Sequence, residues 1–391
     1  MNRPPDSITA DSAPMANADA AALAAATGVL TIDLDALIAN WAKLESVGMP
    51  AESAAVVKAD AYGCGLAPVT KALAKAGCKT FFVATLNEAR AAREAAPNSV
   101  IYVLDGFFSG SGDTFAKLDC RPVIGDPNEL AEWDLYRQQS GWRGACAIHI
   151  DTGMNRLGFA MADALSLSAR IGSDGHGISL VMSHLVNAEL LGDPTNGRQV
   201  AAFRDIASGF SGVTASLSNS SGIFLGSQFH FDLLRPGAAL YGVNPTPEAD
   251  TPMHAVVDLK VRVAQIRKVD EGATVGYGGI WTAKRPTRLA IVAAGYADGY
   301  FRVAGGSDGS RSAEVVVDGQ RCPIAGRISM DLMAIDITDV PPNAIKRGGM
   351  VTLIGEGITV DELAQHFGTI GYEVLTNLGK RYARVYKGAA E

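Results

Sequence analysis

Between residues 54 and 235, short runs rich in β-branched and aromatic residues alternate with helical patterns, and no other feature constrains the fold as strongly. The runs are 54–58, 80–84, 100–104, 121–124, 146–151, 178–183, 213–217 and 231–235. Segment 127–137 is typical of the spacers. Asp126 can cap a helix there, and Pro127 suits its first position. Eight strands alternating with helices fit a (β/α)8 barrel better than an open sheet. A doubly wound sheet stays the rival, because periodicity does not separate the two. In a barrel, functional side chains stand at the C-terminal ends of the strands.

The flanks read differently. Leu34, Leu37, Ile38, Trp41 and Leu44 recur at helical spacing after Asp33. After Val243 the rhythm changes, and Val257, Leu259, Val261 and Val263 alternate with polar residues as in a half-exposed strand. Asp318-Gly319 between two apolar runs signals a hairpin. Thr359 and Glu362 have the spacing of a capping box, and only that one helix stands out. The expected organisation is a disordered or loosely packed tail over 1–28, a barrel over 29–244 and a mainly β domain over 245–391.

Composition removes several classes of function. The chain has 391 residues, and at about 150 residues per domain this gives two or three domains. A net charge of -7 argues against nucleic acid or an anionic membrane as main partner. Cys64, Cys78, Cys120, Cys146 and Cys322 lack C-x-x-C spacing, which suggests a reducing compartment, hence the cytoplasm, and no metal site. The tail has Asp6, Asp11 and Asp19 where a signal peptide would be basic.

The strand exits carry the chemistry. The first gives Lys58 and Tyr62, the fifth a glycine-containing loop with Arg156, and the sixth His184. The seventh gives Asn219 and Ser220, the eighth Arg235, Gly237 and Ala238. The last two loops offer the hydroxyl, amide and backbone N–H groups that cradle a phosphate. Taken singly, each residue has a plainer reading: an exposed lysine, a core histidine, a helix N-cap, a surface arginine. Together in one barrel mouth, a lysine, a phosphate cradle and two arginines point to pyridoxal phosphate held covalently on Lys58.

These segments also resemble a family. AVVKADAYGCG is similar to the cofactor-lysine signature of alanine racemases. HIDTGMNRLGF, RPGAALYG, VGYGGIWTA, GYADGY and GRISMD resemble that family's other blocks, in the same order. The resemblance runs from Val29 to Tyr386 and implies a cofactor barrel followed by a β domain. It also implies a homodimer in which each β domain completes the partner's site. The substrate would be a small amino acid, with D-alanine either feeding peptidoglycan precursors or being catabolised. A racemase of broader specificity and a non-catalytic protein that binds the same cofactor are the alternatives.

The resemblance further implies roles. Lys58 would hold the cofactor and act as base on D-alanine, with Tyr277 of the partner acting on L-alanine. His184 would be hydrogen-bonded towards Tyr277 and Arg235, and Arg235 would face the pyridine nitrogen. An arginine does not hand over a proton, so transamination would be suppressed. Tyr62, Asn219, Ser220, Gly237, Ala238 and Tyr372 would contact the cofactor, chiefly its phosphate. Arg156 and the backbone of Met330 would contact the substrate carboxylate, and Tyr296 would narrow the mouth or simply pack in the β domain. One position departs from the family. A lysine carbamylated by CO2 is common two residues before Asp151, and here that residue is His149. A neutral His149 or a small anion would then hold Arg156, with activity independent of CO2.

Overall fold

A computed structural model describes residues 20–389 apart from 173, 174, 176 and 311. Residues 1–19 of the expected tail lie outside the described residues. The rest of that tail is structured. Ala20–Ala25 forms a short exposed helix, and Arg262 donates to the carbonyls of Leu23 (3.3 Å) and Ala26 (3.1 Å) at its end. Gly28–Asp33 is already a strand.

That strand corrects the expected start of the barrel. It pairs antiparallel with Val257–Val269 and parallel with Ala383–Lys387, so it lies in the sheet of the β domain. Its Leu30 and Ile32 are fully buried while Val29 and Thr31 are half-buried. This period-two pattern suits a sheet with one covered face. Asp33 then caps the helix Leu34–Gly48 through Ala36 N–H at 3.0 Å, as the spacing predicts.

All eight expected barrel strands form. Strands one to seven are Ala55–Val56, Thr80–Val83, Val100–Val103, Arg121–Ile124, Cys146–His149, Ile178–Met182 and Thr214–Ser216, parallel and in sequence order. Strand eight, Leu233–Leu234, pairs with Glu52–Ser53 just before strand one. Arg235 N–H to Ser218 O (2.9 Å) and Asp232 N–H to Ala215 O (3.0 Å) join it to strand seven, so the sheet closes.

The β domain is built on an eight-stranded sheet in which Val257–Val269 also pairs with Thr287–Val292, curling the sheet onto itself, with a separate two-stranded hairpin of Thr274–Val275 and Trp281–Thr282 beside it. The expected hairpin is present, with Val317 opposite Gln320 and both Asp318 and Gly319 at positive φ. The expected capping box forms only in half. Thr359 accepts from Glu362 N–H at 3.1 Å, but the Glu362 carboxylate binds Arg321 instead of reaching back. A second helix, Gly371–Asn377, went unread in the sequence. It is only two turns long, too short for a clear period. Among the described residues no helix is long and apolar enough to cross a membrane.

Candidate active site

Lys58 stands two residues past the end of strand one, and directly after it the backbone reverses its usual hand. Ala59, Asp60, Ala61 and Tyr62 all have φ of 53 to 54°, and Gly63 follows at 79°. Left-handed helical backbone costs a non-glycine residue roughly 1–2 kcal/mol, so four in succession need support from outside the turn. Glu88 supplies some of it. One carboxylate oxygen accepts from Ala59 N–H at 2.7 Å, the other from Ala84 N–H at 2.8 Å at the exit of strand two. Asp60 accepts from Leu66 N–H at 2.8 Å. Tyr62 ends the turn stacked on Tyr241 (4.7 Å between centroids) and tilted against Tyr372 (6.1 Å).

The turn forms one wall of a cavity of about 630 Å³, within the usual range of small-molecule sites. The expected residues Lys58, Tyr62, Arg156, His184, Asn219, Ser220, Arg235, Gly237, Ala238 and Tyr372 all line it, as does His149. Tyr277 and Met330 do not. Tyr277 is 69% exposed and Met330 51% exposed, both on the β domain. Tyr296 is exposed on the same domain, so it is not a core residue.

Electrostatics in the cavity favour neutral bases and bound anions. Burial, and then the neighbouring Arg156, pull the Lys58 amine below its ordinary value. Burial, and after it Arg235 and Arg156, push His149 down to about 4 and His184 down to about 3. Both imidazoles are therefore neutral near pH 7. For His149, burial outranks the arginine that the sequence singles out. Arg235 is buried, which lowers it to about 9, still a cation at neutral pH. Cys64, just past the turn, is pushed up to about 12 by burial and is no nucleophile.

Arg235 binds differently from the expectation. It donates to Ser183 O (2.5 Å), Leu217 O (3.3 Å) and Ser216 Oγ, and not to His184. His184 is instead held through its backbone. Gln199, buried in the helix Pro194–Ala207, donates to His184 O (2.9 Å) and Thr152 Oγ1 (3.1 Å) and accepts from Val186 N–H (2.9 Å). The two exit loops that carry Arg156 and His184 are thus tied together. Asp151 shapes the first of them by accepting from Gly153 N–H (2.8 Å) and Asn155 N–H (2.9 Å). His149 and Arg156 both face the cavity, with no direct hydrogen bond between them.

The loops after strands seven and eight form a cradle. Ser220 Oγ accepts from Gly237 N–H (2.9 Å) and Ala239 N–H (3.2 Å). A hydroxyl that accepts two such bonds turns its own proton outward, where an anion can take it. Asn219, not Ser220, caps the following turn, through Gly222 N–H at 2.9 Å. A Cβ at Gly237 would lie 2.4 Å from the Tyr62 hydroxyl, so only glycine keeps this floor open. The donor set suits a phosphate, and Lys58 stands across the same cavity, as a phosphate-bearing aldehyde requires.

Two supports were missed in the sequence. Glu88 had a readable signal, since Thr85 and Glu88 form a full capping box at the exit of strand two. Gln199 had none, because nothing local marks a polar helical residue that faces inward.

Segment 32–245 matches the family model for the alanine racemase N-terminal domain, and 256–386 that for the alanine racemase C-terminal domain. The alanine racemase of Methylobacterium sp. (strain 4-46) is 51% identical over 357 residues, 91% of this chain and 97% of the relative. The biosynthetic alanine racemase of Agrobacterium fabrum (strain C58 / ATCC 33970) is 44% identical over 364 residues, 91% of this chain and 93% of the relative. The crystal structure of alanine racemase from Bartonella henselae with covalently bound pyridoxal phosphate superposes with a TM-score of 0.86 at 37% identity, covering 93% of this chain and all of that one.

Proposed function

The chain belongs to the alanine racemase family, and on that premise we propose that it racemises alanine with two bases, Lys58 and Tyr277, on opposite faces of the substrate. It is an amino-acid racemase with pyridoxal phosphate as cofactor. The observation that carries the two-base reading is the contrast between a half-desolvated Lys58 inside the cavity and a Tyr277 left bare on the β domain.

In this reading Tyr62, His184, Asn219, Ser220, Arg235, Gly237, Ala238 and Tyr372 would hold the cofactor, with the Ser220 O–H and neighbouring donors giving hydrogen bonds to its phosphate. Bound there, the cofactor withdraws electrons from the substrate's Cα and lowers the cost of losing its proton. Lys58 Nζ, released from the cofactor by the substrate amine and with its hold on a proton weakened by burial and by Arg156, would take that proton from D-alanine. The electron pair stays on carbon, and the phenol O–H of Tyr277 returns a proton to the other face. The same steps run backwards from L-alanine. Arg156 pairs with the substrate carboxylate, assisted by the backbone of Met330. Arg235 would stand at the ring nitrogen as a cation that keeps its proton at neutral pH.

Tyr277 and Met330 serve a second copy of the chain. Their surroundings support this. Arg327 donates to Tyr277 O (3.3 Å), and the loop that follows binds Tyr296 N–H through Ser329 O (3.1 Å) and Ala297 N–H through Met330 O (3.0 Å). The three exposed side chains therefore sit on one connected loop system. Leu157 and Ile370, both exposed, line the cavity, so its rim offers apolar surface that suits burial against a partner. Domain roles follow: 29–244 carries the cofactor, 245–391 completes the partner's site, and Gly28–Asp33 joins the latter in its sheet.

The test is turnover of a panel of L-amino acids by the homodimer, followed by chiral chromatography. Alanine should be racemised fastest. Faster turnover of serine or a basic amino acid would replace the substrate assignment and leave the chemistry standing.

A further inference from the structure

The left-handed turn after Lys58 is gripped from behind by the last strand of the β domain of the same chain. Arg384 lies in that strand, Ala383–Lys387, and is buried. An arginine on the covered face of a strand needs partners. Its four hydrogen bonds all go to main-chain carbonyls. Nε and Nη2 donate to Gly63 O at 3.4 and 3.3 Å, Nη1 to Gly379 O at 3.2 Å, and Nη2 also to Leu378 O at 3.3 Å.

Each acceptor has a place in the site. Gly63 caps the turn that begins at Lys58. Leu378 and Gly379 follow directly on the helix Gly371–Asn377, which carries the cavity residue Tyr372. Packing agrees with the hydrogen bonds. A Cβ on Gly63 would lie 2.5 Å from Leu375 O in that helix, and one on Gly65 would lie 2.1 Å from the Tyr386 hydroxyl. Turn, helix and last strand therefore meet with no room for a side chain between them.

We propose that Arg384 is a positioning residue that holds the strained Lys58 turn, and with it the end of the Tyr372 helix, against the β domain of its own chain. The β domain then serves two sites at once. It lends Tyr277 to the partner and fixes the lysine of its own barrel. The inference rests on the reading of Lys58 as the cofactor lysine, but the clamp itself concerns backbone order, which is measurable whatever Lys58 does.

The experiment compares holoenzyme of the wild type, Arg384→Met and Arg384→Lys. Met keeps a long apolar stem without donors; Lys keeps the charge without the planar fork. Amide hydrogen exchange, kcat, KM and the thermal midpoint are measured for each. In Arg384→Met, protection of residues 59–65 should fall by about tenfold or more while the rest of the barrel keeps its protection. kcat should fall by about tenfold or more with KM within about threefold, since misplacing a reacting group acts on kcat first. Arg384→Lys should recover part of both, and it carries the test alone if the Met variant does not fold. A lower thermal midpoint with unchanged exchange in 59–65 and unchanged kcat overturns the proposal, because the arginine would then only stabilise the domain. Exchange raised equally throughout the β domain overturns it too. Loosened exchange at 59–65 with kcat unchanged would spare the clamp and sink the reading of Lys58 as a base.

Discussion

The cavity wall of the barrel and the Tyr277 face of the β domain, proposed above as two halves of one site, stand under opposite physical conditions. On the wall, Lys58, His149, His184 and Arg235 are crowded, desolvated and supported by second residues such as Glu88 and Gln199. On the β domain, Tyr277 and Met330 stand mostly in solvent on a loop system held by backbone hydrogen bonds. In the proposed reading, burial within the chain shapes the groups that serve the chain's own cavity, while Tyr277 would be buried only against a second copy.

The largest effect should come from the buried half. Lys58→Ala should abolish racemisation in both directions and leave no borohydride-reducible cofactor adduct on the chain. A variant that keeps such an adduct would erase the contrast, since another lysine would then carry the cofactor.

Next in size is the exposed half. Tyr277→Phe removes one acid/base group, so a loss of about 10²–10⁴-fold is expected, greater for L-alanine than for D-alanine, with the cofactor still bound. Mixing this variant with Lys58→Ala should restore activity, because some mixed dimers contain one intact site. Equal small losses for both enantiomers, or no recovery after verified subunit exchange, would show that the two regions do not share a site.

The smallest effect sharpens the electrostatic side. His149 has its folded value depressed to about 4 from 6.5. In the window between them the unfolded chain binds more protons, so folding stability rises with pH there. The contribution is fully present above about pH 6.5 and is lost as pH falls towards 4. His149→Gln should flatten the thermal midpoint against pH across that window, leaving the remaining slope to His184 and the carboxylates. An unchanged slope would mean that His149 is not desolvated in solution.

Much of the barrel half was legible along the chain. Lys58, Arg156, His184, Ser220 and Arg235 each follow a strand whose composition and flanking turns announce it. A barrel then brings all strand exits to one rim. What was misjudged depended on which partner a group chooses. Glu362 has the spacing of a capping box yet binds Arg321. His184 was expected to hold Arg235, but that guanidinium bonds to Ser183 O, Leu217 O and Ser216 Oγ. Spacing predicts reach, and the competing acceptors come from elements that local pattern does not bring together.

From the sequence alone came the alternation that makes a barrel, the residues at its strand exits and the change to a β domain after Val243. Each is written in periods of two or about 3.6 residues and in turn chemistry that a short window contains. Tertiary structure alone decided that Gly28–Asp33 joins the sheet of the distant β domain, that Tyr277 lies outside its own cavity, and that Arg384 grips Gly63. That last contact spans 321 residues of chain. Such pairings depend on how finished elements pack, and side-chain period says which face of a strand is apolar without saying what will cover it.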